Sequence, residues 1–108
     1  MKVSKELLKG STTMLVLSML EKEPMYGYKL IKKLEAASSG VFALKEGTLY
    51  PILHALESDG AVEAVWSEAE GRARKTYQIT DKGRKLLQEK TGEWQLFQRS
   101  LNQVLGEA

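Results

Sequence analysis

Six basic side chains, Arg72, Arg74, Lys75, Lys82, Arg84 and Lys85, fall between Gly71 and Lys85 with Asp81 as the lone acid, a local charge of +5 in a chain whose net charge is +2. The remainder therefore sums to −3, and the ten residues just before this block, Ala61 to Glu70, carry Glu63, Glu68 and Glu70 and no base. So abrupt a change of sign marks a place where an anion is met, because clustered guanidinium and ammonium groups supply both the charge and the N–H donors that a phosphate takes. Upstream lies a second set, Thr48, Tyr50, Pro51, His54, Ala55 and Ser58, whose short polar and aromatic side chains suit the reading of a base edge from a rigid support. Catalytic chemistry has much less to stand on. With no cysteine and one histidine there is no thiol nucleophile, no Cys-based zinc site and little material for acid-base work. Ser58, His54 and Asp59 lie on one stretch of helix and its end, which is not the geometry of a catalytic triad. His54 and Glu57 at helical spacing would give a metal two ligands, too few for a specific site. The chain reads as a binding protein without enzymatic activity, metal or cofactor.

The elements that position these residues follow from spacing. At 108 residues, 43% hydrophobic and 28% charged, the chain is a single small domain whose one core removes about two thirds of the unfolded surface, a marginal size that makes a partner subunit natural. No apolar run approaches the roughly 20 residues of a membrane span, and Glu6 and Lys9 break up any secretory leader, so the expected location is the cytoplasm. A first helix is predicted from about Lys5 to Leu20, with apolar positions on more than one face, closed by Glu21 to Pro24. A second runs from Tyr26 to Ala37 with Tyr28, Ile31 and Leu34 inward and Lys29, Lys32 and Lys33 outward, and Ser38 to Gly40 stop it. A third begins near Thr48 with Pro51 in its first turn, Leu49, Ile52, Leu53 and Leu56 buried, and Gly60 as a left-handed cap.

Two strands follow, Ala61 to Ser67 with Val62, Ala64 and Trp66 on one side, and Arg74 to Thr80 with Tyr77 and Ile79 on one side. Gly71 supplies the turn between them, so Arg72, Arg74 and Lys75 fall at the tip and on the returning strand of a hairpin. Thr80 caps a last helix to about Leu105, in which Leu87, Trp94 and Leu101 stand seven apart, as do Phe97 and Val104. A small domain has no use for that apolar row unless a second copy covers it. The fold expected is mainly α with a small β-hairpin: a winged helix-turn-helix over residues 1–80 and a long C-terminal dimerisation helix over 81–108, one structural unit.

Three stretches carry a resemblance to a known family: Tyr26 to Leu30 (Tyr-Gly-Tyr-Lys-Leu), Gly47 to Gly60 with its Thr-Leu-Tyr-Pro core, and Arg74 to Gly83 (Arg-Lys-Thr-Tyr-Gln-Ile-Thr-Asp-Lys-Gly). The chain resembles the PadR-like transcriptional regulators over nearly its whole length, and its single C-terminal helix is similar to the short branch of that family, which includes multidrug-responsive repressors. The resemblance implies a homodimeric repressor that binds an inverted-repeat operator in double-stranded DNA through two third helices and two wings. Carried onto this sequence, the DNA-binding set is Tyr26 and Lys29 on the second helix, Thr48, Tyr50, Pro51 and His54 on the third, and Arg72, Arg74 and Lys75 on the wing. His54 departs from the basic residue often found there. The dimer set is Leu87, Trp94, Phe97, Leu101 and Val104. In the short branch an aromatic residue of the last helix lines a pore between subunits that holds flat, hydrophobic, often cationic compounds. Trp94 matches it, with Met14, Leu17, Ser18 and Gln98 as neighbours of such an effector. The rival from another class is a winged-helix module whose third helix and wing grip a protein and never touch DNA.

Overall fold

The computed structural model describes residues 3–107. In chain order the elements are α1 (Lys5–Lys9), α2 (Thr12–Lys22), β1 (Met25–Tyr26), α3 (Gly27–Ala37), α4 (Glu46–Ser58), β2 (Val62–Ala69), β3 (Arg72–Ile79) and α5 (Asp81–Leu105). Helices α2, α3 and α4 enclose one face of a small antiparallel sheet, ordered β1-β3-β2, and the core is built from Val16, Leu17, Leu20, Leu30, Leu49, Leu53, Val62 and Tyr77, all fully buried. This is a winged helix, mainly α, with a long C-terminal helix.

The single first helix expected over Lys5 to Leu20 is two. Glycine is costly inside a helix, and the hydroxyl residues after Gly10 compete for local hydrogen bonds. The Ser11 N–H donates to the Leu8 carbonyl at 2.9 Å and the Thr12 hydroxyl to that of Lys9 at 3.2 Å, which redirects the chain between α1 and α2. The sheet also has a third strand. Pro24 holds Glu23 extended (φ −167°, ψ 157°), and the chain stays extended long enough for Met25 to pair with Tyr77 and Tyr26 with Thr76 before α3 begins.

Helix α4 starts at Glu46, earlier than expected, so Pro51 is its sixth residue rather than part of its first turn. The proline ring deprives the Gly47 carbonyl of its helical donor, tolerated because Gly47 and Pro51 both lie on the exposed side, where water reaches that oxygen. At the other end Gly60 adopts φ +78° and closes the helix in the left-handed conformation. The hairpin turn is Glu70-Gly71 with φ +55° and +75°, the two positive values a two-residue type I′ connection needs, and it sets a register in which Ala64 faces Tyr77 and Trp66 faces Lys75. Thr80 caps α5: its hydroxyl accepts the Gly83 N–H at 3.1 Å and donates to the Gly60 carbonyl at 2.6 Å.

Three side chains stand elsewhere than the sequence suggests. Tyr28, expected inward, is 47% exposed with the Lys32 ammonium 5.4 Å from its ring centroid, because the buried face of α3 runs through Gly27, Leu30 and Leu34 and Tyr28 lies off it. Trp66, on the same side of β2 as the buried Val62, is exposed as well. Leu17, expected beside an effector, is completely buried, and Leu87, expected in the dimer row, is buried in the core of its own chain. Both lie where α2 and the start of α5 pack against each other and against β3.

Candidate nucleic-acid interface

Helix α4 is anchored by Leu49, Leu53 and Leu56, all buried, which turns Thr48, Pro51, His54, Ala55 and Ser58 outward. Tyr50 stands between the two sides, half-buried, its hydroxyl lodged against Gly27 at the start of α3. A Cβ at position 27 would lie 2.5 Å from the Tyr50 Oη, so the glycine permits this contact. Burial pushes the Tyr50 phenol above its ordinary range, with Glu46 and Tyr77 adding to the effect, so it stays a neutral O–H donor at physiological pH. Its ring lies 6.3 Å from the His54 imidazole, tilted by 40°.

The wing brings up the cations, and they differ in how free they are. Arg72, beside the turn, makes no ion pair among the described residues. The Arg74 guanidinium carbon lies over the Tyr26 ring, 4.3 Å from its centroid, a cation–π contact that holds the side chain in place and uses none of its N–H groups in an ion pair among the described residues. Lys75 is braced against α4, its Nζ donating to Glu57 Oε1 at 3.4 Å and lying 5.4 Å from the Tyr77 ring centroid. Partial desolvation works against the Lys75 charge, but the Glu57 hydrogen bond and the pull of Tyr77 and Glu57 outweigh it and hold the ammonium above its ordinary pKa. Lys29 is paired with Glu23, whose carboxyl is held below the usual range by the hydrogen bond and the charge of that lysine. The hairpin is stiffened by contacts of Ser67 with Thr76 and of Gln78 with Glu63.

A cleft of about 590 Å³ between the start of α3, α4 and the wing gathers Tyr26, Tyr50, His54, Arg72, Arg74 and Lys75, six of the nine residues singled out from sequence. Thr48 and Pro51 stand outside it on the outer face of α4, and Lys29 points to Glu23. The cleft also takes in Gly27, Tyr28 and Trp66, which sequence reasoning did not include. The available signal was the strand register: residue 66 pairs with Lys75, already in the basic set.

A second concavity, about 600 Å³, lies between α1 and α5 and is walled by Met14, Trp94 and Gln98 together with Leu7, Phe97 and Leu101. Of the five effector neighbours named from sequence it unites Met14, Trp94 and Gln98; Ser18 does not line it, and Leu17 is in the core. Trp94 is 41% exposed, and Phe97, Leu101 and Val104 are exposed on the same stretch of α5. Among the described residues no three histidine or carboxylate side chains converge, and no helix is long and apolar enough to cross a membrane.

The pattern of the transcriptional regulator PadR-like family matches residues 16–89, which run from within α2 to the first third of α5 and contain both sides of the cleft. A PadR family transcriptional regulator from Eggerthella lenta superposes with a TM-score of 0.82 at 38% identity, over 93% of this chain and 86% of that one. A transcriptional regulator from Clostridium thermocellum superposes with a TM-score of 0.86 at 29% identity, over 92% of this chain and 97% of that one. A transcriptional regulator of Mycobacterium tuberculosis is 44% identical over 48 residues, which are 44% of this chain and 45% of that protein. With the signature stretches on α3, α4 and the wing, a matching pattern across them and the same fold in these solved structures, the chain belongs to the PadR-like family of transcriptional regulators.

Proposed function

We propose that this regulator binds double-stranded DNA as a homodimer, with α4 in the major groove and the wing on the adjacent backbone, and represses transcription from an inverted-repeat operator. The observation that carries the reading is the cleft in which Tyr26, Tyr50, His54, Arg72, Arg74 and Lys75 converge. It pairs a rigid helix bearing short polar and aromatic groups with cations that suit phosphate, the division of labour DNA recognition needs. A two-fold pair of such units joined through α5 would set two reading helices about one turn of DNA apart, roughly 34 Å. Residues 1–80 would then be the DNA-binding part and 81–108 the dimerisation helix, and the protein would work in the cytoplasm.

The test is operator affinity against salt, on duplexes selected from random-sequence DNA. Phosphate contacts release counterions, so the logarithm of affinity falls linearly with that of salt, and each lost contact lowers the slope by about one. Arg72→Ala and Arg74→Ala should each do so; Lys75→Ala should lower it less, because Glu57 already neutralises that ammonium in the free protein. A shallow salt dependence of the native protein, unchanged by these variants, would sink the DNA reading in favour of a protein-binding wing.

Effector control rests on the second concavity. A flat hydrophobic or cationic compound seated against Trp94, between Met14 and Gln98, would relieve repression if it bound one orientation of α5 better than another, because only differential affinity moves an equilibrium. A flat aromatic cation is expected to quench native fluorescence, to do so much less in Trp94→Phe, and to weaken operator binding. Quenching with unchanged operator affinity would remove the regulatory part.

A further inference from the structure

Trp66 is 68% exposed on β2, a costly place for an indole that nothing in the monomer explains. The sheet register shows which way it faces. Residues paired across an antiparallel ladder share a face, so Trp66 with Lys75 continues the side on which Val62 pairs with Ile79 and Ala64 with Tyr77. Val62, Ile79 and Tyr77 are buried against the helices, whereas Trp66 lies where the wing has run past the core. Lys75, its neighbour across the ladder, reaches Glu57 on α4, so this overhanging face is the one turned to the recognition helix. The indole forms part of the cleft wall, together with Tyr28, Arg72, Arg74 and His54, and among the described residues no carboxylate lines that cleft. Arg72 and Arg74, paired with Ala69 and Ser67, rise from the other face of the hairpin and reach this cleft at its rim, while Glu68, two residues on from Trp66, shares the indole's face but lies outside the cleft. An apolar plane rimmed by such cations is complementary to a sugar-phosphate strand, which offers phosphates at its rim and apolar deoxyribose faces between them.

We propose that Trp66 packs its indole against the deoxyribose and base edges of the strand whose phosphates meet Arg72 and Arg74, giving the wing an apolar anchor whose contribution does not depend on salt. The inference deepens the DNA-binding reading and rests on it. Arginine and indole have separable signatures. A lost guanidinium removes a counterion-releasing contact and flattens the salt dependence, while a lost indole removes buried apolar area and leaves the slope alone. Val65, also exposed, pairs with Thr76 on the opposite face of the hairpin and lies outside the cleft, so it serves as the matched control.

The experiment compares the native protein, Trp66→Ala, Trp66→Phe and Val65→Ala on one selected duplex across a salt series, with thermal unfolding of each and fluorescence on DNA addition. Trp66→Ala should weaken binding about tenfold to a hundredfold at every salt concentration, a downward shift parallel to the native line. Trp66→Phe should recover most of the loss while abolishing most of the DNA-induced emission change, since Trp94 is then the only indole. Val65→Ala should bind like the native protein. Native-like affinity in Trp66→Ala overturns the proposal while leaving the DNA reading intact; so does a flattened slope, which would mean that the indole only positions the arginines. A changed oligomeric mass with unaltered DNA affinity would assign Trp66 to a protein contact and overturn it equally. If the native protein binds no duplex at low salt, the DNA reading fails and the Trp66 proposal falls with it.

Discussion

Gly83→Ala is expected to lower the melting temperature by roughly 10–20 °C, an effect at or above the upper end of the ~1–3 kcal/mol usual for overpacking. Gly83 lies in the first turn of α5, where a Cβ would overlap the Ala61 carbonyl oxygen and stand 2.7 Å from Ile79 Cγ1. The carbonyl cannot swing aside cheaply, because it accepts the Thr80 N–H at 3.1 Å in the joint where the Thr80 hydroxyl also holds Gly60 and Gly83. Gly92, on the same helix, has no atom within 4 Å of its would-be Cβ. Gly92→Ala should therefore stabilise, by about 0.5–1 kcal/mol, through helix propensity alone. Thermal unfolding of the two variants side by side is the check, and equal melting temperatures would refute the tight junction. The same joint would give the proposed effector control a physical route. It fastens the start of α5 to the turn that ends α4, so a tilt of the long helix would reach α4 through hydrogen bonds rather than through a flexible linker.

Legibility in the sequence followed the range of the signals. The stripe Leu49, Leu53, Leu56, the cap at Gly60, the hairpin turn at Gly71 and the Thr80 cap are local patterns, and each appears where spacing placed it. Strand β1 has two residues, too few for any period to show, and exists because Pro24 delays α3 while Tyr77 offers a free edge. The break at Gly10 was hidden by apolar residues that keep helical spacing on both sides of it. For the candidate interface, residue type found the cations but not their state: that Lys29 and Lys75 are engaged by Glu23 and Glu57 depends on contacts between elements. Val62 and Trp66 share one face of β2, yet the first is buried and the second exposed. Periodicity assigns a face to a residue, and only the length of the neighbouring element decides whether that face is covered at that point.

Phe97→Glu with Leu101→Glu should convert a dimer into monomers and cost operator affinity about a thousandfold. Trp94, Phe97, Leu101 and Val104 recur at intervals of three and four, the spacing of a coiled-coil seam, and all four are exposed on a helix whose 25 residues span about 37 Å. Leu87, one heptad before Trp94, is already buried in its own chain, so the free seam begins only where α5 leaves the winged body. Pairing two such seams would bury the row, and carboxylates placed there would have to lose their water without gaining partners, a penalty of several kcal/mol for each. A dimer bound to an inverted repeat gains its second half-site contact almost intramolecularly, and that gain, commonly 10²–10⁴-fold, vanishes with the seam. Arg99→Glu, a charge change of comparable size off the row, should leave mass and affinity near native. Sedimentation and operator titration on the same samples read both effects. A Phe97→Glu, Leu101→Glu variant that still sediments as a dimer would move the interface elsewhere, whereas monomers that keep full operator affinity would break the link between α5 and the spacing of the two reading helices.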